Sequence, residues 1–172
     1  MSTLEVKELS HPAGEVIKIA AGKTLDLKTQ GSVTMPTGSV LQVVHGTEST
    51  ELTLTTTTYT DTGLTATITP KSTTSTILIM WNLQASLDQA DSGIGTKLLR
   101  GSTAVYTSAS LYDIYTPTGA GERHRPNWTH LDSPNTTSAI TYKVQAGAYL
   151  SRTCRLNNVS NSTQITLMEI QG

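Results

Sequence analysis

The side chains able to do acid–base or metal chemistry are few and scattered. Asp88 and Asp91 stand three apart beside Ser92-Gly93. Hydrolysis would need paired carboxylates or a Ser/His/Asp set, and a pair at this spacing reads as a solvated turn. Glu122, His124, His130 and Asp132 lie close in sequence and carry the donor types of an acid/base or metal site. Zinc ligands recur at tight, recognisable spacing; here the two histidines are six apart across Pro126. Cys154 is the single cysteine, so no intrachain disulfide forms. Arg152 and Arg155 flank it and could lower a thiol pKa if they pointed the same way, but it reads as a small apolar residue in a strand. There is no Gly-x-Ser-x-Gly, Walker A or dinucleotide fingerprint. No catalytic residue, metal or cofactor is expected.

The chemistry the chain does offer is contact. Between residues 112 and 128 stand Tyr112, Tyr115, Arg123, His124, Arg125 and Trp128. Tyr, Trp and Arg dominate binding hot spots through large rigid contact area and strong donors. An aromatic ring stacked on a sugar face would be the matching mode for a surface glycan. The competing reading puts Trp128 in the core and packs the tyrosines between subunits. Four Asn-x-Ser/Thr triplets, starting at Asn127, Asn135, Asn158 and Asn161, need only the abundance of Ser and Thr to explain them.

These residues must be held by strands. Threonine occurs 32 times and phenylalanine not at all. Thr is β-branched and stiff at χ1, which favours strands over helices. No helix is predicted. Leu64, Ala66 and Ile68 alternate with threonines, the pattern of a half-buried strand. Thr76 to Leu87 is the most apolar run and is predicted as a central strand buried on both faces. Thr96 to Arg100 and Thr103 to Tyr106 are predicted as a hairpin. Ala90 to Gly95 is predicted as a loop, and Thr107 to Pro126 as a long excursion of the functional kind. Further strands are predicted at Val40 to His45, Glu51 to Thr58, Trp128 to Asp132, Ser138 to Ala146, Tyr149 to Asn157 and Gln164 to Ile170. About nine or ten strands at this spacing make an antiparallel β-sandwich, jelly-roll-like.

Residues 1–38 differ from the body, 39–172. Three short alternating runs, each closed by Gly or Pro, carry Ile17, Ile19, Leu25, Leu27, Val33 and Met35. Strands this short cannot bury an apolar face alone. Three copies wound about an axis could, so a β-prism-like trimeric stalk is expected, and with it a homotrimer.

Net charge is -1, with 12 Lys+Arg against 13 Asp+Glu. That balance offers no electrostatic attraction to nucleic acid or to an anionic membrane. No apolar run approaches the length of a membrane span. Glu5, Lys7, Glu8 and Glu15 interrupt the stretch where a secretory signal would be apolar.

Several phrases carry a resemblance. They are Met1-Ser-Thr-Leu-Glu-Val6, Gly38-Ser-Val-Leu-Gln-Val-Val44, Thr69-Pro-Lys-Ser-Thr73 and Lys97-Leu-Leu-Arg-Gly-Ser-Thr-Ala104. Leu131-Asp-Ser-Pro134, Thr141-Tyr-Lys-Val-Gln145 and Ile165-Thr-Leu-Met-Glu-Ile170 complete the set. In this order the chain resembles tail-fibre and head-fibre structural proteins of marine and cyanobacterial tailed phages. The resemblance implies a trimeric virion protein, a β stalk with a distal β-sandwich. It would be assembled in the host cytoplasm and exposed on the particle exterior, bound to other virion proteins and adhering to a host surface glycan. The alternative within that class is a capsid decoration or head-fibre protein set on the capsid lattice. A glycan depolymerase, from another class, would need a carboxylate pair set in a groove. The 13 acidic residues show no such clustering, so an enzyme is not expected.

Overall fold

A computed structural model describes residues 21–23, 35–118, 121–158 and 160–172. The chain divides at 34/35, and the described residues from 35 onward form the body. The expected stalk residues Ile17, Ile19, Leu25, Leu27 and Val33 lie outside the described residues. Met35 lies inside them and stands exposed in the single chain.

The body is built of β1 (Val40–Glu48), β2 (Leu52–Leu54), β3 (Thr60–Ile68), β4 (Thr76–Asn82), β5 (Ala85–Leu87), β6 (Ser92–Arg100) and β7 (Thr103–Thr107). β8 (Ile114–Thr116), β9 (Glu122–His124), β10 (Asn127–Asp132), β11 (Ile140–Ala148), β12 (Cys154–Leu156) and β13 (Thr163–Ile170) follow. One sheet runs β1-β13-β4-β10. A second runs β3-β11-β6-β7, with β8 also on β6. A third, smaller sheet runs β2-β12-β5-β9. The pairings are antiparallel. Among the described residues the one helical element is a single 3-10 turn at Tyr149–Ser151. The expected antiparallel β-sandwich is what the body forms.

Alternation builds the core. Leu64, Ala66 and Ile68 on β3, Tyr142, Val144 and Ala146 on β11, and Ile94 and Leu98 on β6 point inward. They meet Ile77, Ile79 and Trp81 of β4 and Ile165 and Leu167 of β13, and all belong to one buried cluster. Truncating any of these Leu or Ile side chains to Ala would cost about 2–5 kcal/mol. Gly46 of β1 lies so close on the Thr65 carbonyl of β3 that a side chain there has no room. Where the body starts and stops, the Gly38 N–H donates to the Gln171 carbonyl at 2.8 Å and the Gln171 N–H to the Ser39 carbonyl at 2.9 Å.

Five expectations are corrected. The run Thr76 to Leu87 is two strands. β4 alternates buried with half-buried residues, because Leu78 and Met80 face outward; the chain then leaves at Leu83-Gln84 and β5 joins the small sheet. Glu51 to Thr58 yields only the three-residue β2, and Tyr149 to Asn157 yields the 3-10 turn and β12. The predicted loop Ala90 to Gly95 overlaps β6, which starts at Ser92 and is fully buried through Thr96. The excursion 107–126 contains β8 and β9, which are strands because β6 and β5 offer them partners. The hairpin closes as expected, with Arg100 opposite Thr103 and Gly101 in the left-handed region at φ +59°.

Candidate binding site

A groove of missing side chains positions the tyrosines. Gly93 and Gly95 alternate on β6, and Gly147 of β11 is registered against Gly95. A Cβ at Gly93 would lie 2.7 Å from the Ile114 carbonyl oxygen. At Gly95 it would lie 2.6 Å from the Ser110 carbonyl oxygen and 2.8 Å from Leu111 Cα. At Gly147 it would lie 2.9 Å from Leu111 Cδ2. Glycine inside a strand often marks close approach of another backbone, and here residues 110–112 lie directly on the sheet, with Ile114 of β8 paired alongside β6. The Ser108 N–H donates to the Thr96 carbonyl at 2.9 Å, and the Thr96 N–H donates to Ser108 Oγ at 2.8 Å. Ser108 Oγ in turn donates to the Asp113 carboxylate. Trp128 Nε1 donates to the same carboxylate at 3.1 Å.

Tyr112 projects from this anchored loop and Tyr115 from β8 just after it, 50% and 41% exposed. Tyr149, from the 3-10 turn, joins them. The ring centroids stand 5.0 Å (Tyr112–Tyr149), 5.9 Å (Tyr115–Tyr149) and 6.1 Å (Tyr112–Tyr115) apart, at interplanar angles of 73°, 83° and 61°. The three rings wall a cleft of about 170 Å3. Tyr115 Oη donates to Asp91 Oδ1 at 2.8 Å, and that bond to a carboxylate pushes the phenol pKa up. Sequence inspection missed Tyr149. It lies far from Tyr112 in the chain, and its neighbours read as a strand.

The other four candidate residues lie elsewhere. Arg123, His124 and Arg125 line a shallow cleft of about 300 Å3 with Gln84 and Asn161. His124 Nε2 is 3.3 Å from Glu122 Oε2. Trp128 is registered opposite Trp81 across β10 and β4 and stacks on it, with centroids 5.9 Å apart and planes 12° apart. Half-buried, it packs against the core. The six residues therefore fall in three clefts that share no lining residue.

The acidic sets also come apart. Asp88 is no solvated turn residue. Its carboxylate accepts from Arg155 Nε at 2.6 Å and from Ser86 Oγ at 2.9 Å. Asp132 accepts from Tyr142 Oη at 2.6 Å and from Arg100 Nη1 at 3.0 Å, while His130 lies against the Tyr106 ring. Among the described residues no group of three or more His, Cys, Asp and Glu is placed to hold a metal ion. Cys154 is buried on β12, and burial pushes its thiol up to about 11. None of the described helical segments is long and apolar enough to cross a membrane.

No protein-family model and no curated protein matches the sequence. Solved structures do match. A structure of infectious bursal disease virus, Gx strain, superposes with a TM-score of 0.53 at 12% identity, over 87% of this chain and 37% of that one. The VP2 subviral particle of the same virus gives 0.49 at 13% identity, over the same shares. At 12% identity the likeness is one of fold. The chain spans about 37% of the length of the viral chains it matches.

Proposed function

We propose that this chain is a virion structural protein that packs against two copies of itself and adheres to a host cell surface by contact, without catalysis. The observation that carries the reading is the outer face of the sheet β1-β13-β4-β10. Val43, Met168, Leu78 and Leu131 stand in register as one apolar row across all four strands. Val43 is 55% and Leu131 58% exposed. The next row is His45, Thr166, Met80 and Thr129, and the next Thr47, Gln164, Asn82 and Asn127. These rows contain no Asp, Glu, Lys or Arg. A rotation axis brings related patches of each copy together, and an uncharged face can meet its copies without like-charge contact. Contiguous exposed apolar surface marks an interaction site.

The phage-fibre phrases support the virion class, and so does a fold shared with a virus structure. In a trimer, weak contacts at the tyrosine cleft and at Arg123, His124 and Arg125 would be multiplied by valency.

The same row favours a second reading. It lies towards the end of the sheet where β1 begins, so this face could instead be set down on a capsid lattice, as in a decoration protein. Light scattering at micromolar concentration separates the two. A trimer has three times the 18.4 kDa of one chain, and the double variant Val43→Glu/Leu131→Glu should fall to one chain with an unchanged circular dichroism spectrum. A wild-type monomer would overturn the trimer and leave the decoration reading.

A further inference from the structure

We infer that the cup formed by Tyr112, Tyr115 and Tyr149, with Asp91 at its rim, binds a quaternary ammonium group such as that of choline. The inference rests on the adhesive reading for its biological use, but its test needs only the purified chain.

Three rings inclined at 61° to 83° to one another form three sides of the cup. With centroids 5.0 to 6.1 Å apart, a group seated between them lies within the ~6 Å reach of a cation–π contact to every ring. The cleft, about 170 Å3, holds a compact head group and little more. Quaternary ammonium is the cation suited to it. Its methyl groups present apolar surface to the rings, and its charge is attracted by their π faces.

The anion stands on the side such a ligand requires. Asp91 accepts from the Tyr115 hydroxyl, which makes that ring richer in electrons and adds a full negative charge beside the cup.

The backbone is held in unusual conformations at the same place. Asp91 has φ +54°, Leu150 +49° and Ser151 +55°, all non-glycine residues in the left-handed region. Such conformations cluster at ligand sites. Two of them lie in the turn that presents Tyr149, and the third carries the carboxylate.

The test is a titration of the full chain with choline chloride and, in parallel, with its neutral isostere 3,3-dimethylbutan-1-ol. Sodium chloride at equal ionic strength is the blank, and NMR shifts of the tyrosine rings are the readout. Choline should saturate in the millimolar range, and the isostere should bind roughly tenfold more weakly. Tyr149→Leu should abolish both. Asp91→Asn, which keeps an acceptor for Tyr115, should weaken choline alone. Equal affinity for the isostere would overturn the inference, as would the absence of any saturable shift in the folded chain. Phosphatidylcholine vesicles and a soluble phosphocholine-bearing carrier then separate a lipid source from a glycan source. Binding to either supports the cup, and binding to neither overturns it.

Discussion

Trp128 donates its indole N–H to Asp113 at 3.1 Å, and this bond ties the two large sheets together. Trp128 belongs to β10 of the first sheet, whereas Asp113 sits in the loop lying on β6 and β11 of the second. The same carboxylate accepts from Ser108, so one side chain fixes both where the loop starts and where it turns towards Tyr112.

Asp113→Ala should remove both bonds and cost about 1–2 kcal/mol. Freed of its acceptor, the Trp128 indole turns towards water. Tryptophan emission should shift to the red, and the urea midpoint should fall.

Gly95→Ala should act on the loop and spare the core. Its Cβ meets backbone of the loop, the Ser110 carbonyl oxygen and Leu111 Cα, and neither can swing aside as a side chain could. The loop must lift, at about 1–3 kcal/mol. Hydrogen exchange should speed up at residues 108–116 and stay slow in β3 and β13.

Tyr142→Phe keeps the shape of a buried ring but removes the hydroxyl that donates to Asp132 at 2.6 Å. Burial, and then this bond, hold the phenol in its protonated form. Losing a hydrogen bond to a charged group costs about 1.5–3 kcal/mol. Chemical denaturation should show that loss without a change in slope.

Glu169 makes stability depend on pH. Burial pushes its pKa up, but hydrogen bonds outweigh that and leave it below its ordinary 4.5. Gln42 Nε2 and the Lys71 N–H each donate to it at 2.6 Å. A carboxyl with a lowered folded pKa contributes stability that is present above the unfolded pKa and is lost as pH falls through the folded one. Urea midpoints should therefore drop from neutral pH towards pH 3 or so, and Glu169→Gln should flatten that part of the curve.

What could be read from the residues was the periodic part of the structure. Leu64, Ala66 and Ile68 alternate because one face of β3 is core, and Gly101 closes the hairpin because its left-handed backbone suits glycine. What could not be read depended on partners. β8 and β9 have no alternation of their own and exist through β6 and β5. The break after Asn82 is hidden because Leu83 and Ala85 are as buried as the strand before them. Tyr112 and Tyr115 were visible as exposed aromatics, but Tyr149 reaches them only through the fold. Gly93, Gly95 and Gly147 did carry a signal: glycines inside strand patterns ask what lies on them.

The paired bonds between Gly38, Ser39 and Gln171 make the body a cassette. Entry and exit share one corner of the sandwich. It can be spliced into a surface loop of an unrelated host protein without stretching that loop. A short linker from 171 to 39 would likewise let the chain be reopened at Gly101, giving a permuted body with the same core.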